Sequence, residues 1–394
     1  MVYNLQARDL TVNHYFIWWY NNLTKQQLKQ RFRIFRRTLN YKSNALRSVL
    51  RTLRHSPQIY DKIIYGKVFE ILYMRSAKGD IIFMTMIKRL AAVFIAVLLV
   101  FTASSCGDNA SDQKKAYDCP LLWHVTDKDG GEMWLFGTIH IGNKSSKEVL
   151  ERLQPVLEKC DALAVEFDAV SYAKDISAQT KDLSLFVYND GTTISDHIPK
   201  QLYDNLVDTL KEEKLYNKLY ENFKPGFWSL LLNQAMISKS KLSAEKAMDT
   251  LLIKDANSAN REILEVESAA FQYEIFANAP DDYTLLSLEK DLESIDDAEE
   301  ELNKLYNAWL IGDAQKIIES DEYYDFTEEE QRIVDDFNDE LLRSRNLNMA
   351  KKAKEYLESG KTVFFAVGTM HFLGEDGIVS LLEKEGCSIE RVGF

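Results

Sequence analysis

Two copies of Gly-Thr-x-His mark the chain: Gly137-Thr138-Ile139-His140 and Gly368-Thr369-Met370-His371. Each follows an apolar run, Met133-Trp134-Leu135-Phe136 in the first case and Phe364-Phe365-Ala366-Val367 in the second. In a chain of only six histidines the repetition points to a shared task. Neutral imidazole is the commonest metal ligand. Two histidines delivered from separate strand ends make half of a metal site. The glycine three residues ahead of each leaves the backbone uncrowded, so a metal, a ligand or another strand can approach. The missing partner is a carboxylate. Glu166 ends the run Ala162-Leu163-Ala164-Val165, on the strand expected to pair with that of the first motif. Asp168 has the same parity and is a weaker candidate, and Glu267 ends a third apolar segment. Each group has a structural alternative: a strand-end histidine is often a hydrogen-bonded structural residue, and a carboxylate after a buried strand is often a helix N-cap. His124 and His197 lack supporting neighbours and read as structural or surface groups.

The elements that would position these groups follow from hydrophobic spacing. Strands are expected at 121–125, 133–141, 162–168, 262–267, 363–369 and 388–392, with a hairpin turn at Asp127-Lys128-Asp129-Gly130-Gly131. Helical spacing covers 145–159, 202–220, 228–238, 244–259, 285–312, 328–360 and 376–385. Strand, helix and strand in succession make a crossover unit of a covered sheet. The fold class read from this order is α+β, with a mixed central sheet built from both chain ends and a large helical insertion at about 170–360. The two ends resemble an internal duplication, each running strand, Gly-Thr-x-His, helix, cysteine and strand. The dense charge in 281–300 and 321–340 reads as solvated helix faces. No nucleophile elbow, phosphate loop, Rossmann glycine fingerprint or His-Glu-x-x-His is present.

Charge divides the chain. Residues 1–83 hold 15 Lys and Arg against 4 Asp and Glu, whereas from Cys106 onward the count is 31 against 57. The acidic body argues against nucleic acid as a partner. Between the two regions, Met84 to Arg89 is a short positive start, Leu90 to Phe101 is apolar throughout, and Ala103-Ser104-Ser105-Cys106 is a small-residue site. This is the anatomy of a bacterial export signal, residues 84–105, and the apolar run is short for a membrane span. Ala-Ser-Ser-Cys resembles a lipobox, with Ala103 where Leu is usual. It makes Cys106 the expected lipidated first residue, 106–119 a tether, and 120–394 the folded body. The expected location is the bacterial cell membrane, exported and lipid-anchored. The basic stretch 1–83 then reads as an artefact of start assignment, translation beginning at Met84 or Met86; a basic amphipathic helix pair on anionic lipid is the alternative. Cys119, Cys160 and Cys387 have no metal-ligand spacing and allow at most one disulfide.

Over 120–394 the sequence resembles the TraB/GumN family, to which the Tiki proteases of animals are related. The resemblance lies in Trp134 to His140, in Glu166 with Asp168, and in Lys224-Pro225-Gly226-Phe227-Trp228, where the family often has Pro-Trp directly. Ala247-Met248-Asp249 is similar to its Gly-x-Asp with alanine for glycine, and Leu264 to Ser268 with Gln272 to its Leu-Glu-Thr and following Gln. Arg345-Asn346 and the stretch Ala366 to Gly377 complete it. The resemblance implies a metal-dependent hydrolase, most simply a peptidase acting on peptides or proteins outside the cytoplasm. His140, His371 and Glu166 would hold a divalent ion, with Mn, Co and Zn equally suited to such ligands. The ion would acidify a water and polarise a carbonyl. Glu267 would act as general base and Arg345 would stabilise an oxyanion or bind a substrate carboxylate. Two competing functions are a non-catalytic protein that sequesters a peptide or signal, and a metal-free hydrolase using His140 and Glu166 around Arg345.

Overall fold

The computed structural model describes residues 118–321, 324 and 326–394. The basic stretch, the export-type segment and Cys106 lie outside the described residues. Strands β1 (Leu122–Thr126), β2 (Glu132–Thr138), β3 (Ala162–Val165), β4 (Glu262–Glu265), β5 (Val363–Gly368) and β6 (Ser388–Arg391) form one sheet in the order β4-β3-β5-β2-β1-β6. The pairings β2 with β5, β5 with β3 and β3 with β4 are parallel; β1 runs antiparallel to β2 and β6. The mixed sheet drawn from both chain ends therefore matches the expected class. Two interior strands, β3 and β5, are buried at every residue, as parallel strands covered on both faces should be. The edge strands β4 and β6 alternate in exposure or lie half-buried.

The hairpin forms as its turn residues require. The Asp127 carboxylate accepts the N–H groups of Asp129 and Gly131, and Gly130 takes a φ of +89° that disfavours other residues. Expected strand pairing fails at one point: β3 is not beside β2, because β5 inserts between them. Glu166 thus follows the neighbour of the second motif, and reaches the first only across that strand's end. The proposed duplication keeps its order of elements, but the first crossover skips one strand and the second skips two.

The helices are α1 (Lys144–Leu157), α2 (Ala169–Tyr172), α3 (Ile176–Leu183), α4 (Lys200–Glu212), α5 (Pro225–Lys239), α6 (Met248–Ala259), α7 (Ala269–Ala277), α8 (Asp281–Ser294), α9 (Ala298–Leu310), α10 (Ala314–Asp321), α11 (Glu328–Asn338), α12 (Arg345–Leu357) and α13 (Ile378–Lys384). The single helix expected over 285–312 is two, α8 and α9. The break falls at Asp296-Asp297, residues that favour a helix start over a helix interior. The one expected over 328–360 is α11 and α12 joined by a π-helical stretch, Asp339–Ser344. Arg345 is the first residue beyond that stretch. Helix α5 is buried nearly all round, and Gly226 within it is forced by contact. A Cβ there would sit 2.3 Å from the carbonyl oxygen of Phe276. Ala247, standing where the resemblance has glycine, lies at φ −57° and ψ 146°, a conformation open to alanine.

Cys119, Cys160 and Cys387 are all free thiols. His197 stacks on Tyr188 at 4.2 Å and bonds to Thr192, and His124 lies beside Trp134 on the sheet, in keeping with structural and surface roles. Among the described residues no helix is long and apolar enough to cross a membrane.

Candidate metal centre

The two motifs meet because β2 and β5 are adjacent and parallel, with Thr138 paired to Gly368. Both strands end earlier than their apolar runs suggested. β2 stops at Thr138, so His140 stands two residues beyond it, and β5 stops at Gly368, so His371 lies in a short 3-10 turn, Thr369–Phe372. The Thr369 hydroxyl donates to the carbonyl of Thr138 at 2.8 Å and ties one motif to the other. Gly137 permits that contact: a Cβ there would be 2.7 Å from Thr369 Oγ1. On the other side the indole N–H of Trp309 donates to Gly137 O at 2.8 Å.

Each histidine is held by its Nδ1. His140 Nδ1 bonds to Asp249 Oδ2 at 2.8 Å, and Asp249 Oδ1 accepts the Thr138 hydroxyl at 2.5 Å. The start of α6 is fixed to the first motif by Met248 N–H on Ile139 O, which sets Asp249 against the ring. His371 Nδ1 donates to Asn346 Oδ1 at 2.6 Å, and Asn346 Nδ2 donates in turn to Asp376 O. Both rings therefore offer Nε2 outward. Such backing by a carboxylate or carbonyl oxygen is how metal-bound histidines are oriented. His140 Nε2 is buried without a hydrogen-bond partner, and Glu166 Oε1 lies 3.8 Å from it.

Glu166 and Glu267 reach the site together because parallel pairing continues past β3 and β4, with Val266 N–H on Val165 O and Glu267 N–H on Glu166 O. Glu166 Oε1 accepts the N–H of Gly368 at 2.8 Å. Its Oε2 accepts from Gln272 at 2.8 Å and from Arg345 at 3.0 Å. Arg345 grips Glu267 through Nε and a terminal nitrogen at 2.8–3.1 Å, and its other terminal nitrogen donates to Leu341 O. Both oxygens of Glu267 are thus on the guanidinium, with Gln272 also on Oε2. Arg345 is buried to 1% exposure. In this geometry the hydrogen-bonding groups of Arg345 and Glu267, expected from sequence as oxyanion donor and general base, are engaged with each other, with Glu166 and with Gln272. Asp168 does not join the cluster; it caps α2 through Ser171 N–H.

The charges order the site. Burial works against ionisation of Glu166, but Arg345, the two histidines and the Gly368 N–H outweigh it and hold the carboxyl at about 2. Burial also works against protonated His140, yet the charge and hydrogen bond of Asp249, with Glu166 adding, raise it above its ordinary value. His371 has an amide behind it instead. Burial and then Arg345 push it down to about 3, so it stays neutral.

Whether these residues suit a divalent ion can be judged from distances. Two donors about 2.0–2.2 Å from a shared ion are at most about 4.4 Å apart, and the 3.8 Å between His140 Nε2 and Glu166 Oε1 falls within that limit. A Cβ on Gly368 would lie 3.3 Å from Glu166 Oε1, 3.6 Å from His371 Cδ2 and 3.8 Å from His140 Nε2, so all three side chains face one small space. The donors fit in type, and His140 with Glu166 fits in spacing. Among the described residues, no group of three or more His, Cys, Asp or Glu side chains is arranged so as to hold a metal ion.

The family model for TraB/PrgY/gumN matches residues 121–391. The chain belongs to the TraB/PrgY/gumN family. Among curated relatives, the metalloprotease TIKI homolog of Amphimedon queenslandica is 22% identical over 355 residues, an alignment covering 79% of this chain and 68% of the relative. Metalloprotease TIKI1 of Danio rerio is 36% identical over 63 residues, 16% of this chain and 13% of that protein. For metalloprotease TIKI1 of Xenopus tropicalis the figures are 38% over 61 residues, 15% and 12%. Within this family member, the positions taken from resemblance alone, Asp249, Gln272 and Asn346, all touch the cluster. Asp249 and Asn346 had no role readable from spacing, since they come from helices more than a hundred and about twenty-five residues from the histidines they hold.

Proposed function

We propose that this protein is a metal-dependent hydrolase, a peptidase, whose ion is held by His140, His371 and Glu166. The observation carrying this reading is the buried, unpartnered Nε2 of His140 facing Glu166 Oε1, with its Nδ1 committed to Asp249. Charge count supports it as well. Glu166 and Glu267 share the buried guanidinium of Arg345 while Asp249 is paired with His140, which leaves the cluster net negative and suited to a cation.

A bound divalent ion supplies Lewis-acid polarisation of a scissile carbonyl and a more acidic water. The protein's own part is positional. Asp249 and Asn346 lock the two rings with Nε2 toward the shared space. Arg345, itself clamped by Glu267, fixes Oε2 of Glu166 and leaves Oε1 at the seat, where it is placed to ligate the ion or to accept a proton from an attacking water.

The expected substrate is a peptide or protein outside the cytoplasm, and the expected location is the outer face of a bacterial membrane through lipid on Cys106. The apolar run Leu90–Phe101 and the Ala103-Ser104-Ser105-Cys106 site support this part. Palmitate incorporation into the full chain should disappear in Cys106→Ala; labelling that persists would overturn the anchor.

Elemental analysis after loading the full chain with Mn, Co or Zn should find about one ion per molecule. His140→Ala and His371→Ala should lose it, and Asp249→Asn should weaken binding by about 10–100-fold. No bound ion under any loading condition would defeat the reading. A bound ion with every test peptide recovered intact would favour the sequestering protein.

A further inference from the structure

Beside the histidines, on the flank of the two motifs facing α9 and α10, lies a small apolar recess. Thr138 and Ile139 of the first motif and Thr369 and Met370 of the second line it, with Leu305, Trp309 and Ile317 opposite. Leu305 and Met370 are half-buried and form its mouth; Ile139, Trp309 and Ile317 are buried. Its polar groups are already used. The Thr138 hydroxyl is on Asp249, the Thr369 hydroxyl on Thr138 O, and the Trp309 N–H on Gly137 O. A water held in a cavity needs two to four polar partners, and no side-chain donor of this lining is left for one. The cavity volume is about 10 Å³, at the lower edge of the roughly 10–15 Å³ that admits one water-sized group. The space therefore suits a methyl group.

Ile139 and Met370 each precede a motif histidine by one residue. A peptide held at His140 and His371 would therefore have a flanking side chain available to this mouth. We propose that the recess is the substrate subsite next to the scissile bond and that it selects an alanine-sized side chain over larger aliphatic ones. This rests on the peptidase reading and gives it a substrate class. A pocket closed to additional methylenes discriminates by about 10–200-fold per group.

The test uses the metal-loaded full chain and a peptide pool of mixed sequence, with cut sites mapped by mass spectrometry. Alanine should exceed leucine at one flanking position by at least about tenfold, and Ile317→Ala should shift that preference toward valine and leucine. A second readout needs no turnover. N-acetylalanine methylamide should move the methyl resonances of Ile139, Leu305, Ile317 and Met370 in the wild-type protein, and N-acetylleucine methylamide should not. Cleavage without small-residue preference, or both amides leaving those methyls unmoved, overturns the subsite. No cleavage together with selective methyl shifts would instead defeat the peptidase reading and leave the recess as a binding site for small apolar groups.

Discussion

Arg345→Met should destabilise the folded protein by about 3–5 kcal/mol, the usual cost of breaking a buried ion pair by removing one partner. Methionine has a comparable stem, so little packing is lost. What remains is two buried glutamates, Glu166 and Glu267, joined only by the single amide of Gln272 and with no cation between them. Urea unfolding monitored by tryptophan fluorescence measures the difference. Arg345→Lys should recover part of it, since it restores the charge but not the fork that grips both carboxylates. The deficit should also depend on pH. The folded-state carboxyl of Glu166 is held at about 2, below its ordinary 4.5, so the stability it contributes is present above about 4.5 and is lost as pH falls toward 2. Without Arg345, the largest of the groups that lower it, that depression shrinks. The gap between wild type and Arg345→Met should therefore narrow in acid, and equal urea midpoints at pH 7 would rule out the buried pair as a source of stability.

The sequence carried the parts of this site that depend on local pattern. The apolar runs before His140, Glu166 and His371 are strands because covered parallel strands are apolar at every position, and their order along the chain sufficed to build one sheet from both ends. What the pattern could not carry was adjacency. That β5 enters between β2 and β3 is a non-local pairing, decided by which strands bury their faces best together. It moved Glu166 from the first motif's neighbour to the second's. The pairing of Glu267 with Arg345 is non-local in the same way. Residue type says that a glutamate can take a proton and an arginine can bind an oxyanion. It does not say that each has already spent its hydrogen-bonding groups on the other. Helix lengths in the insertion were overestimated where charge-rich periodicity ran through a break, as at Asp296-Asp297 and through the π-helical turn before Arg345.

If the proposed site holds an ion, Gly368→Ala should leave folding nearly intact and weaken metal binding. Gly368 sits at φ −51° and ψ 137°, which alanine adopts freely, and the tightest contact of a new Cβ is 3.3 Å to the end of the Glu166 side chain. Stability should change by no more than about 1 kcal/mol. The methyl would nevertheless stand in the space that Glu166 Oε1, His140 Nε2 and His371 face in common, where an ion's remaining ligands must fit. Metal affinity should fall by about 10–100-fold, as for other changes at the margin of a coordination shell, measured by competition with a chelating dye. Gly137→Ala supplies the contrast. It occupies the equivalent position of the other motif, yet its Cβ would meet Thr369 Oγ1 at 2.7 Å and Thr369 Cα at 3.2 Å. That collision pushes the motifs apart, so its defect should appear in the unfolding midpoint as well as in metal binding. The two glycines of one repeated motif thus differ in what they accommodate, Gly368 facing Glu166 and both histidines and Gly137 the neighbouring motif's Thr369. A Gly368→Ala protein that binds metal as tightly as wild type would overturn the proposed site among these three side chains.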